Sequence, residues 1–296
     1  MSRRGWLLFA AMCLAWGINY LFIKVAVREL SVPMLVFLRT GIGALLLVPL
    51  AARVGWTAAR DVVRRHWLPL LGFAALEIIG PWYLLSDAER HLTSSLAGLI
   101  IAAVPIVGVL ISRLFPDSEQ LSRTRWAGLV IGAVGVVVLA APAVHGDSAL
   151  AVGEMLLVVV GYAIAPIIAA RKLAEVPNFV MTTVCLGFAA LVYTPAAVLT
   201  WPTRWPSAEV VASVLVLAVV CTALAFVAFF ALIREVGTAR AMVFTYINPA
   251  VAVAAGVLVL GEPLTATIVA SFGLILGGSV LATASSRSGR LRVKQG

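Results

Sequence analysis

Apolar residues run along this chain in blocks of about twenty, separated by short clusters rich in Arg, Pro, Gly and Ser. A helix rising ~1.5 Å per residue needs about 20 residues to cross ~30 Å of hydrocarbon, so blocks of this length predict membrane-spanning helices. Ten are expected, at 6–27, 33–52, 67–86, 93–114, 125–143, 149–170, 178–200, 208–232, 238–260 and 265–284. The longest connection, 53–66, has 14 residues and leaves no room for a soluble catalytic or nucleotide-binding domain. Whatever chemistry the chain performs is placed inside the bilayer.

Composition agrees. Of 296 residues, 62% are apolar and 12% charged, with mean hydropathy +1.07; a soluble domain carries roughly 25% charge. The net charge of +9 would point to nucleic acid in a soluble protein, but its distribution says otherwise. Seventeen Lys and Arg residues fall on one set of alternate connections, and only Arg28, Arg90, Arg204 and Lys24 on the other. Cytoplasmic loops collect such residues, which places both termini in the cytoplasm and requires an even number of spans. Ser2-Arg3-Arg4 is read as the start of an uncleaved first helix, and the tail 285–296 as a cytoplasmic end touching anionic lipid, not a nucleic-acid arm. Cys13, Cys185 and Cys221 all lie in apolar stretches and read as small core residues.

The chain also repeats itself. A shift of 144 residues carries Gly17 onto Gly161, Arg28 onto Lys172, Pro33 onto Pro177, Arg90 onto Arg234 and Pro105 onto Pro249. Shifts one residue either side carry Glu119 onto Glu262, Gly128 onto Gly273 and Gly132 onto Gly277. Each copy holds five spans, so the second enters the membrane from the opposite side. The expected fold is an all-α integral membrane protein of ten helices as two inverted-topology five-helix repeats, at 1–143 and 144–284. Inverted repeats suit a carrier, because the halves can rock about a central site that faces each side in turn.

Trp16-Gly17-Ile18-Asn19 with Lys24, Arg39, Pro105, Asn248-Pro249, Gly261-Glu262-Pro263-Leu264-Thr265 and Gly273 resemble the EamA type of the drug/metabolite transporter superfamily. The likeness covers essentially the whole chain, as two copies. It implies a ten-helix secondary carrier, commonly an exporter of amino acids or other small metabolites. The first copy departs from the pattern where Asp117-Ser118-Glu119 replaces a Gly-Glu pair, and Glu77 has no counterpart carried over from the family.

Glu77 lies about ten residues, or ~15 Å, into span three, too deep to reach either interface. A carboxylate there pairs, lines water or carries a proton, which makes it the candidate for proton coupling or else a packed, neutral acid. Arg39, ~9 Å from the outer end of span two, either snorkels outward or holds Glu77 or an anionic substrate group with its planar fork. Lys24 reads first as a snorkelling cation. Pro105 and Pro249 mark symmetry-related midpoints of spans four and nine, where they are expected to free the carbonyls of Ile101 and Thr245 toward a cavity. Asn19, Tyr20, Tyr246 and Asn248 would add polar groups there, and Trp16, Trp82, Tyr83 and Phe244 apolar wall. The Gly128/Gly132 and Gly273/Gly277 pairs predict close helix contact at spans five and ten, bracing the halves or meeting a partner, a second copy of the chain included. Glu119 and Glu262 are expected to favour the N-termini of those two spans by charge alone.

No glycine-rich loop precedes Lys-Ser/Thr, His66, His91 and His145 are scattered, and no serine has the glycine-flanked setting of a hydrolase elbow. No cofactor, metal or ATP hydrolysis is implied. The expected function is therefore a secondary transporter in the cytoplasmic (inner) membrane. Its partners would be a small-molecule substrate, membrane lipid and protons. A flippase for an amphipathic substrate is the alternative, with a membrane enzyme or scaffold ranked lower.

Overall fold

The computed structural model describes residues 1–114, 121–143 and 147–283. Asp117, Ser118, Glu119, His145 and the tail 285–296 lie outside the described residues. The described chain is all helix and turn, with no strand. Nine helical stretches are long and apolar enough to cross a membrane, from Arg3–Ala26 to Ala266–Thr283. The expected ninth span is assembled from three pieces, Thr238–Ala241, a 3-10 turn Met242–Tyr246, and Asn248–Leu260.

Span ends follow local chemistry. Ser31, Thr93, Ser122 and Ser207 each accept a backbone N–H of the following first turn, at spans two, four, five and eight. Gly261, at φ +67°, closes span nine in the left-handed conformation that an L side chain resists. One boundary differs from expectation. The segment 53–66 is mostly helical, because span three starts at Trp56 and runs to His91 with a bend at His66. Its lead-in exposes Arg60, Arg64 and Arg65, giving a polar helix too short of apolar residues to register as membrane-spanning.

The spans associate across the two copies. Span one packs on span eight and span three on span six, while two meets seven, four meets nine and five meets ten. Exchanging the first five spans with the last five maps this set of pairings onto itself, as a twofold axis requires. With five spans per copy, that axis lies in the membrane plane.

Spans five and ten show why their association is so close. A Cβ on Gly128 would meet the Ala282 amide and the Gly278 carbonyl oxygen (2.7 Å), and one on Gly278 would meet Gly132 Cα at 2.5 Å. Backbone therefore touches backbone, which substitutes for the hydrophobic driving force absent between helices in lipid. Gly128, Gly132 and Gly135 are the small residues on span five, but on span ten the contact residue is Gly278. Gly273 and Gly277 have nothing within 4 Å of an added Cβ and contribute no close approach. The expectation for those two is corrected, because the crossing places a different face of span ten inward.

Candidate functional site

The helices are irregular where the two copies meet. Span three contains a π turn at Ala75–Ile79, and span eight one at Val216–Leu224. The 144-residue shift carries 75–79 onto 219–223, so the turns are symmetry-related. Widening the ladder leaves backbone carbonyls short of a partner, which lipid cannot supply. Side chains from other spans fill the need: Tyr193 OH donates to the Ile79 carbonyl (2.8 Å) and Trp16 Nε1 to that of Cys221 (3.2 Å). Glycines let these backbones approach. A Cβ on Gly161 would lie 2.6 Å from the Leu76 carbonyl oxygen, and one on its counterpart Gly17 would collide with Val251.

Spans four and nine break beside these turns. Span four divides into Ser94–Ile101 and Val104–Ser112 just before Pro105, and Pro249 stands at the start of Asn248–Leu260. Ile101 and Thr245 do line the central space, but the carbonyl that finds a side-chain donor is that of Ala102, which accepts from Ser279 Oγ of span ten (3.0 Å).

Together these irregularities enclose a cavity of about 680 Å³. Trp16, Asn19, Tyr20, Arg39, Glu77, Thr245, Tyr246, Asn248, Pro105 and Pro249 all line it. So do Trp82, Tyr162, Phe226 and Phe244. It reaches Gly108, Met242, Val243 and Thr283, at the end of the bundle that carries the N-terminus. Met242 and Val243 are 41% and 45% exposed there. At the other end it stops at Tyr20 and Leu85, which are buried.

Arg39 points inward. It is 5% exposed, its Nε donates to Thr222 Oγ1 (3.0 Å), and its guanidinium lies 3.8 Å from the Trp82 ring centre. Snorkelling is thereby excluded in this conformation. The contact with the ring face holds the cation by its quadrupole, while the two Nη groups have no acceptor among the described residues. No ion pair joins Arg39 to Glu77: the described ion pairs are Arg28–Glu209 and Arg90–Asp87. Both side chains thus line the same cavity separately. Asn19 Oδ1 and Asn248 Oδ1 are buried in its wall without a partner. Trp16 packs against Phe226, Phe229 and Phe244, with ring centres 5.1–5.9 Å apart, and makes the apolar side. Tyr246 OH bonds Thr283 Oγ1 (2.8 Å) at the exposed end.

Two candidates lie elsewhere. Tyr83 stacks on Tyr193 at 5.9 Å, away from the cavity lining. Lys24 neither snorkels nor lines the cavity, since its ammonium donates to the carbonyls of Glu89 (2.5 Å) and Leu92 (2.7 Å). Glu262 also departs from expectation. Its carboxylate accepts from Ser94 N–H, Ser95 N–H and Ser95 Oγ, so it serves the N-terminus of span four in the other copy, not that of span ten. Sequence reasoning missed Glu89, Tyr162, Thr222 and Phe226 as neighbours of this site. Glu89 fell outside the expected end of span three at 86, yet the helix continues to His91 and buries it completely. Among the described residues no three His, Cys, Asp or Glu side chains gather as a metal site.

The EamA-like transporter family matches residues 3–141 and again 150–284. This chain belongs to that family. The EamA-like chain is 24% identical over 278 residues to an uncharacterized transporter of Archaeoglobus fulgidus, covering 93% of this chain and 97% of that one. It is 26% identical over 312 residues to the uncharacterized inner membrane transporter YedA of Escherichia coli K12, covering 92% and 88%. It is 25% identical over 301 residues to a probable amino-acid metabolite efflux pump of Salmonella typhimurium, covering 94% of each. A solved crystal structure covering 94% of this chain and 95% of its own superposes with a TM-score of 0.65 at 22% identity, which establishes the shared fold. The protein is thus a membrane transporter of the drug/metabolite superfamily, and both its family and its relatives bear the names of transporters, not enzymes.

Proposed function

We propose that this EamA-like chain is a secondary carrier that moves a small amino-acid-like metabolite outward across the cytoplasmic membrane, in exchange for protons, by alternating access. One observation carries the reading: a cavity walled by both copies, with exposed lining residues, Met242 and Val243, at one end and buried ones, Tyr20 and Leu85, at the other. The Lys and Arg excess on alternate connections supports a cytoplasmic position for that exposed end and for both termini. The arrangement is that of a carrier waiting for an internal solute.

The lining supports the substrate class. Arg39 offers two free Nη groups to a carboxylate, Glu77 an acceptor for an ammonium, and Trp16, Phe226 and Phe244 an apolar surface. A zwitterion with an apolar side chain satisfies all three at once. Glu77 is also the lining carboxylate, so a proton and a cationic substrate group compete for it, and that competition couples their movements.

The test is the purified chain in liposomes, offered a mixed pool of radiolabelled amino acids under an imposed pH gradient. The gradient should drive accumulation, and Glu77→Gln should abolish the response to it. Arg39→Gln should weaken apparent affinity about ten- to a hundredfold, the usual worth of a charge-assisted hydrogen bond. Flux that ignores the gradient in the parent overturns proton exchange, and an absence of flux for every amino acid overturns the substrate class.

A further inference from the structure

The shut end of the cavity is sealed by charges that solute binding does not use. Lys24 of span one and Glu262 of the turn between spans nine and ten grip the short connection between spans three and four from two sides. The Lys24 ammonium donates to the last carbonyls of span three, on Glu89 and Leu92 (2.5 and 2.7 Å). The Glu262 carboxylate takes the first donors of span four, the N–H groups of Ser94 (2.7 Å) and Ser95 (3.0 Å) and the Ser95 hydroxyl (2.5 Å). A cation at a helix C-terminus and an anion at a helix N-terminus each suit the backbone dipole, so the grip is favourable. Gly256 makes room for it, since a Cβ there would meet Ser95 Oγ at 2.5 Å. Each of these bonds crosses between elements that must separate if this end is to open.

Inside the grip lies Glu89. It is 0% exposed, and neither of its carboxylate oxygens has a hydrogen-bond partner; the buried Ser94 hydroxyl has none either. Lys24 and Tyr20 face it from span one, Arg39 from span two, and Glu262 from the turn before span ten. Span six brings Glu154 and Tyr162 along span three, and span four brings the uncharged Ser94 and Ser95. None of the described cations is paired with it within 4 Å: the Lys24 ammonium bonds backbone carbonyls, and Arg39 is held by Thr222 and Trp82. An ionised carboxylate with no donor in a dry site is very costly, whereas a neutral acid is not.

We propose that Glu89 is a proton-binding site at the outer end of the bundle, holding a proton while that end is shut and exchanging it with outside water when the Lys24 and Glu262 grip releases. A proton taken from outside thus closes the outer end. This rests on the carrier reading above and adds to it the group through which external pH acts. A proton fits better than a metal cation, because the Lys24 ammonium already supplies positive charge beside the site.

The experiment is the full chain in lipid nanodiscs, its three buried cysteines replaced by Ala, with nitroxide labels on His91→Cys and Thr265→Cys, which stand on opposite sides of the seal. Pulsed electron resonance reads the distance between them without any solute. Raising the pH should increase the ratio of long to short distances, by up to about tenfold per pH unit, the slope of a single-proton linkage. Glu89→Gln should keep the short distance at every pH, and Glu89→Asp should keep the pH response. A response unchanged in Glu89→Gln, or lost in Glu89→Asp, overturns the assignment and leaves the carrier reading standing. A ratio that follows sodium at fixed pH overturns the proton. A single distance in the parent under all conditions overturns both this site and opening at that end, a result independent of whether the liposome assay detects flux.

Discussion

Two asparagines from opposite copies, Asn19 and Asn248, leave an oxygen buried and unsatisfied in the cavity wall. Buried polar atoms normally find partners, and the proposed carrier reading gives these two one in the bound solute. Outside the spans, a simpler residue pair, Glu29 and Ser207, allows a pH test. Glu29 accepts the Ser207 backbone N–H (2.7 Å), and that bond, with help from the Ser207 hydroxyl, holds its carboxyl below the ordinary value. A group whose folded value is lowered stabilises the fold above the ordinary carboxylate range and stops doing so as pH falls through the lowered value. The parent should therefore be slightly more heat-stable than Glu29→Gln at neutral pH, with the gap closing as pH falls below the ordinary carboxylate range. A gap independent of pH would contradict this. Depth in a span made Glu77 and Arg39 legible as candidates from the sequence. Glu89 was not, because it sits near a helix end whose position hydropathy leaves uncertain by several residues.

The informative elements are the broken ones. Prolines stand at the restart of the helix in spans four and nine, where a missing N–H costs nothing, although Pro49, Pro166 and Pro195 lie inside unbroken helices. Nothing announced the π turns at Ala75–Ile79 and Val216–Leu224. Their stability depends on Tyr193 and Trp16 reaching carbonyls on distant spans, and those donors are not local in sequence. Glycine spacing was half informative. Gly128 and Gly278 meet backbone directly, so Gly128→Ala should destabilise the chain by about 1–3 kcal/mol, the cost of overpacking a tight contact. Gly273→Ala should leave thermal stability unchanged, because an added Cβ there finds open space. Equal losses in the two variants would show that the crossing of spans five and ten is misplaced.

For the whole molecule, the self-mapping pairings of spans and the one-ended cavity make opposed predictions for the two faces. Fused tags at both termini should be reached by protease only from the cytoplasmic side in sealed vesicles; tags on opposite sides would refute an even number of spans. A thiol at Gly108→Cys, on the exposed end of the cavity, should react with a membrane-impermeant maleimide from that same side. A thiol at Leu85→Cys, on the sealed end, should react at least about tenfold more slowly from either side, since buried thiols are inert. Comparable rates at both positions would mean that the cavity is not closed at the Leu85 end.

The amino-acid sequence determined the solvent, the helical spans and the duplication, because hydropathy and periodicity are summed over many neighbouring residues and survive local errors. Tertiary structure alone decided which face of span ten meets span five, that Glu262 serves span four, that Arg39 rests on Trp82 apart from Glu77, and that Glu89 is sealed. Each depends on the rotation and crossing of helices from different copies, and a helix turned by one residue, about 100°, presents other side chains without changing its hydropathy.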